Sequence, residues 1–293
     1  MTVTYTARAV TEVRAEHAEG PAWDGRREEL LWVDQFAGLV HRARYTGGEL
    51  RPVRTYQVGR PVGAVVPISG ADGWMLAAGA GFLRLSADGR TEVVAEPEAA
   101  VRDTNRMNDG KCDPRGRFYA GSMAWSKRAG AGSLYRYDGQ VHAILRDVTI
   151  SNGLAWSAAG DLMYYIDTPT GRVDVFTVGR DGEPVDRRPA FAIDPADGAP
   201  DGMCADDEDC LWVALWGGHQ VCRYAPTGEK LATVEVPAPQ VSSCAFGGRT
   251  LFITTSQEGY TPADSARHPD AGRLFAVDLP VGGPAATPFT SRS

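Results

Sequence analysis

An all-β chain, closed as a six-bladed β-propeller of four-stranded antiparallel blades, is predicted by three features of the sequence. One short pattern recurs six times at nearly even spacing. Within each copy apolar and polar residues alternate with the two-residue period of a strand. The 34 glycines and 19 prolines are scattered between these runs as turns would require, rather than gathered into a linker. Helical periodicity is absent over any long stretch, which disfavours a bundle or a doubly wound sheet. A single domain spanning residues 1–293 is therefore expected.

The copies begin EGPAWDGRREELLWVD, VGAVVPISGADGWMLAAG, DGKCDPRGRFYAGSM, NGLAWSAAGDLMYYID, DGMCADDEDCLWVAL and SCAFGGRTLFITTS, with anchors at Gly20, Gly63, Gly110, Gly153, Gly202 and Cys244. Successive gaps are 43, 47, 43, 49 and 42 residues, and 49 follow the last anchor. Each copy supplies two strands joined by a turn. A third strand follows (VHRARYTGGE, FLRLSADGR, SLYRYDG, VDVFTVGRDGE, VCRYAPTGE, RLFAVDL), and in most copies a fourth, such as RTYQV or LATVEV. Four strands about every 45 residues describe a propeller blade. The sixth copy lacks an obvious outer strand, whereas the opening segment Thr4 to Val13 has strand character. That segment is expected to complete the last blade and leave the ring without a free edge.

Composition narrows the function. A net charge of −7 argues against a nucleic-acid or anionic-membrane partner. The start, MTVTYTARAVTEVRAEH, has neither the basic start nor the apolar run of a secretory signal. No stretch approaches the roughly 18 apolar residues of a membrane span. Five cysteines with no CxxC pair are read as buried free thiols in a cytoplasmic protein.

The first strand of each blade lines the central axis, so the residues just before the anchors should converge at one mouth. They are Glu19, Val62, Asp109, Asn152, Asp201 and Ser243. Four of these are acidic or amide side chains. Asp and Asn before Gly are common in turns, but their recurrence at equivalent positions, with Glu19 among them, points to a bound cation that offsets the repulsion between them. Carboxylates from Glu19 and Asp201 and the amide of Asn152 offer oxygen, which suits Ca²⁺, Mg²⁺ or Mn²⁺ and leaves Zn²⁺ or Fe(II) open. His17 is expected to be a solvated loop histidine. Trp32, Trp156, Trp212 and Trp216 are expected to serve blade packing. Trp125 falls in a loop that should overhang the mouth.

The motifs NRMNDGKCDPRGRFYAGSM, GSLYRYD, SNGLAWS, YYID, PDGMCADDEDCLWVAL and CAFGG resemble the regucalcin/gluconolactonase (senescence-marker-protein-like) sugar lactonase family, and the likeness runs from EGPAW to RLFAVD. It implies a six-bladed propeller that hydrolyses sugar lactones to aldonic acids with one divalent cation. The implied ligands are Glu19, Asn152 and Asp201; in the mechanism expected here Asp201 accepts the proton of the attacking water, with a metal-bound hydroxide as the alternative base. Arg106 and Asn108 of NRMNDG are implied to contact the substrate. Where mammalian members carry acidic residues, one of which reaches the sugar, this chain reads Ala124, Trp125, Ser126 and Lys127. Trp125 and Ser126 are accordingly expected to contact the substrate and to change which sugar is preferred. A small-molecule lactone is the expected partner, and the protein is expected to be a monomer or a weak homo-oligomer. Hydrolysis of non-sugar lactones or phosphotriesters, or a non-catalytic calcium-binding role, would use the same residues.

Overall fold

The computed structural model describes residues 2–290. Six antiparallel sheets surround an axis. Their inner strands are Ala18–Asp24, Val62–Pro67, Asn105–Cys112, Ser151–Trp156, Ala199–Ala205 and the first part of Val241–Thr255, in blades I to VI. The last of these folds back on itself at Gly247 and Gly248, so the Ser242 and Thr254 hydroxyls meet at 2.9 Å. It thus supplies the inner two strands of blade VI.

The first hairpin of a blade is tied by a polar residue at or just beyond the end of its inner strand. The Asp24 carboxylate accepts from the backbone N–H of Arg26 and Arg27 in blade I. In blade III Asp113 accepts from those of Arg115 and Arg117. Asp206 does the same for Glu208 and Cys210 in blade V. Such side-chain caps replace the ladder bonds that a turn forgoes.

The apolar core is six seams, each between neighbouring blades. Leu31, Trp74 and Leu85 fill the seam of I and II; Phe82, Phe118 and Tyr135 that of II and III; Tyr119, Leu154 and Tyr165 that of III and IV. Ile166, Leu211 and Tyr224 join IV to V. Trp212, Phe246 and Leu251 join V to VI, and Leu30, Trp32 and Phe252 close VI on I. No blade buries its apolar faces alone, which is why six must come together.

The opening segment divides between two blades. Arg8–Ala9 pairs antiparallel with Phe275–Gly283 as the outer strand of blade VI. Val3–Thr6 instead runs parallel to Lys230–Glu235 and adds a fifth strand to blade V. The division falls at Ala7, which is buried in the seam of V and VI. At the other end, the tail crosses the far side of the ring. Ala286 N–H donates to the Trp23 carbonyl, Phe289 N–H to Pro67 and Thr290 N–H to Gly116, so the tail touches blades I, II and III in turn.

All five cysteines are free and buried. Cys204 and Cys244, on adjacent inner strands, bring their sulfurs within 3.6 Å. Among the described residues no helix is long and apolar enough to cross a membrane.

Candidate functional site

The side chains that converge on the axis owe their aim to a repeated irregularity. Pairing between the inner strand and its neighbour slips between Glu19 and Ala22, between Met107 and Gly110, between Ser151 and Leu154, and between Pro200 and Met203. A bulge re-aims the side chains beside it, and here it does so at the same place in blades I, III, IV and V. The anchor glycines permit the blades to meet there. A Cβ on Gly63 would overlap the carbonyl oxygen of Asn108 in the next blade, and Gly20 has φ +52° against Gly63.

Glu19, Arg106, Asn108, Asn152 and Asp201 come together around a cavity of about 90 Å³, which His17, Met123, Lys127, Ile150, Thr168, Trp216 and Glu258 complete. A relay of hydrogen bonds fixes the amides. Arg106 Nη1 donates to Asn108 Oδ1. Asn108 Nδ2 donates to Asn152 Oδ1 at 2.8 Å, and Asn152 Nδ2 to Thr168 Oγ1 at 2.7 Å. Thr168 donates in turn to the Pro200 carbonyl at 2.8 Å. The nitrogen of Asn152 is thereby committed, and its oxygen, which accepts from Asn108, keeps a second lone pair to offer.

The carboxyl groups are poorly served. Glu19 accepts only the N–H of Gly20 at 2.9 Å, Asp109 only that of Gly110 at 2.7 Å, and Asp201 accepts no hydrogen bond from a described residue. All three are buried. Desolvation raises each above its ordinary range. The charge of Asp109 pushes Glu19 up further, and those of Glu19 and Asp109 push Asp201 up. The same burial holds Arg106 down to about 10. Among the described residues no three His, Cys, Asp or Glu side chains form a group that could hold a metal ion. The carboxylates of Glu19 and Asp201 and the Asn152 amide oxygen could hold a cation, and oxygen donors of this kind suit hard divalent ions.

His17 is not a solvated loop histidine. It is 6 % exposed, and its Nδ1 lies 2.9 Å from Ser256 Oγ. Its ring stacks on Phe36 at 4.7 Å and tilts against Trp216 at 5.5 Å. Burial, with the charges of Arg106 and Lys127, pushes its pKa down to about 3. Trp216 accordingly lines the mouth rather than serving only blade packing. Trp125 is 46 % exposed yet lies over the Arg106 guanidinium, 5.0 Å from its ring, and beside Phe36 at 5.9 Å. Neither Trp125 nor Ser126 lines the cavity itself, and Ser126 is exposed. Phe36, Thr168 and Glu258 carry no mark in the repeat and were not singled out by it; each comes from a segment between strands.

A second, larger cavity of about 390 Å³ opens at the opposite mouth, walled by Trp23, Trp156, Phe246 and the tail at 284–287. Asp109 reaches into it while acting on Glu19. Among these site carboxyl groups, only that of Asp109 lines it.

Residues 17–257 match the sequence profile described as the SMP-30/gluconolactonase/LRE-like region. The chain is 36 % identical over 285 residues to the candidate sugar lactone lactonase YvrE of Bacillus subtilis (strain 168), covering 95 % of this chain and 96 % of that one. It is 35 % identical over 277 residues to regucalcin of Danio rerio, covering 92 % of each. Its fold superposes with a TM-score of 0.91 and 26 % identity on a calcium-binding regucalcin of Agrobacterium tumefaciens, covering 99 % of this chain and 98 % of that one.

Proposed function

The chain belongs to the SMP-30/gluconolactonase/LRE-like family, and from that premise we propose that it hydrolyses sugar lactones to aldonic acids with the aid of one divalent cation. The observation that carries this reading is the burial of the Glu19 and Asp201 carboxyl groups at one mouth, with the charge of Asp109 acting on both from the inner strand of blade III and, among the described residues, two backbone donors for the three. Arg106 offsets part of that charge, and a bound cation beside the cluster would offset the rest. Glu19, Asn152 and Asp201 would hold that cation. When bound it supplies Lewis acidity, which polarises a lactone carbonyl and offsets charge growing on its oxygen.

The remaining work belongs to the chain. Asp201 has no donor committed to it, and we assign it to accept the proton of the attacking water at a carboxylate oxygen. Arg106 keeps its Nε unpartnered and buried, and with Asn108 it orients the oxygens of the sugar. Trp125 and Phe36 offer apolar ring surface to a sugar face. His17 stays neutral at ordinary pH and acts as a wall. The polar groups around the mouth (Arg106, Asn108 and Glu258) favour a hydroxylated lactone over a non-sugar lactone or a phosphotriester.

Hydrolysis of aldonolactones by thoroughly metal-stripped protein, repeated with Ca²⁺, Mn²⁺, Mg²⁺, Zn²⁺ and Fe²⁺, is the deciding experiment. Activity is expected to vanish and to return with at least one ion. Unchanged activity in stripped protein would remove the cation from the mechanism. Ion affinity with no turnover would replace the enzyme with a non-catalytic calcium-binding regulator.

A further inference from the structure

We propose that Glu258 is the carboxylate by which this site selects hydroxylated, uncharged substrates; the inference rests on the lactonase reading above. The loop after the second strand of blade III, Ala124 to Lys127, holds no acidic side chain. The structure instead brings a carboxylate to the same mouth from blade VI, since Glu258 follows the strand Val241–Thr255 and lines the cavity beside Arg106 and Asn108.

Its backbone is held on both sides. Glu258 N–H donates to Ser256 Oγ at 2.9 Å, and Gln240 Nε2 donates to the Glu258 carbonyl at 3.1 Å. Its side chain is 32 % exposed, and no described residue donates a hydrogen bond to either carboxylate oxygen. The nearest cationic group, Lys127 Nζ, stands 3.7 Å from Oε1, and His17 Nδ1 stands 3.7 Å from Oε2. That ring nitrogen is already engaged by Ser256 Oγ at 2.9 Å. Lys127 and Arg106 offset the charge of Glu258 without occupying its lone pairs. An ionised carboxylate is an acceptor only, with about four lone-pair sites. Held in place with those sites open to the cavity, it accepts hydrogen bonds from neutral O–H groups, and such charge-assisted bonds are about twice as strong as neutral ones. A bare lactone offers no O–H, and an anionic ligand is repelled.

The test uses the full chain and its Glu258→Gln variant, which keeps size and replaces one acceptor oxygen with a donor. The ratio of kcat/KM for glucono-δ-lactone to that for γ-butyrolactone should fall about tenfold, through KM more than kcat. Binding of the neutral polyol glucitol, followed by calorimetry, should weaken by a similar factor. Lys127→Ala should keep the kinetic ratio, because its ammonium stands 3.7 Å from Oε1 and occupies none of the lone pairs of Glu258. An unchanged ratio together with unchanged glucitol binding would overturn the assignment. An equal loss in Lys127→Ala would overturn it too, since Glu258 would then act only by placing that lysine. The polyol arm needs no turnover. A chain that binds glucitol through Glu258 but hydrolyses neither lactone overturns the lactonase reading and keeps this one.

Discussion

Glu19, Asn152 and Asp201 were legible in the sequence because they occupy the same position in three copies of one repeat, and a repeat makes equivalent residues meet at the axis. His17, Phe36, Trp216 and Glu258 were not. Segments between strands place His17, Phe36 and Glu258 at the mouth, and no period marks such segments; Trp216 ends the strand Leu211–Trp216, where the repeat gives only a packing residue. Only the burial of His17 and its stacking on Phe36 reveal it as part of the wall. Two substitutions separate these kinds of residue. Glu19→Gln and Asp201→Asn should each lower kcat more than about a hundredfold, roughly 2.7 kcal/mol of barrier, with the melting temperature preserved or raised. Retention of more than a tenth of the rate by both would end the ligand assignment. Trp125→Ala should raise KM several-fold across five- and six-membered sugar lactones and change kcat little, because it removes ring surface over Arg106 rather than carbonyl activation. If every KM were unchanged, the loop would not cover the pocket.

At the scale of strands and blades, the spacing of the anchors was enough to count six units, because each buries its faces only against a neighbour. The fate of the first residues was less legible. One strand from Thr4 to Val13 was expected, but two short ones serve different blades, and the alternation of TYTARAV does not show that Ala7 turns inward between them. The anchor glycines mark the start of each repeat in the sequence, and the structure gives the reason for Gly63: the next blade's backbone fills the volume of a Cβ. Gly63→Ala should therefore destabilise the fold by about 1–3 kcal/mol, the usual cost of overpacking, measured by urea unfolding with the slope unchanged. A neutral result would mean that the inner strands can spread apart at the axis without cost.

For the whole molecule the site carboxyl groups set a dependence on pH. Glu19 is raised from 4.5 to about 8 by burial and by Asp109. The folded chain thus keeps a proton that the unfolded chain has already released. Stability must fall as pH rises through that interval. His17, pushed down to about 3, has the opposite sign, but its contribution is complete once pH exceeds its ordinary 6.5. Cation-free protein should consequently melt at a lower temperature at pH 8 than at pH 7, and a saturating divalent cation should erase or reverse the difference. Glu19→Gln should flatten the slope, and an equal slope in that variant would assign it elsewhere. Ring closure has a consequence for synthesis. The strands Val3–Thr6 and Arg8–Ala9 find their strand partners in blades V and VI, and residues Ala286 to Thr290 bind across blades I, II and III. A chain growing from its N-terminus must therefore carry its opening strands unpaired almost to the end of translation. Blades I to III likewise wait for Ala286 to Thr290 to be made. Nascent chains halted near residue 240 should be cut readily by protease in their first ten residues, while released chains resist.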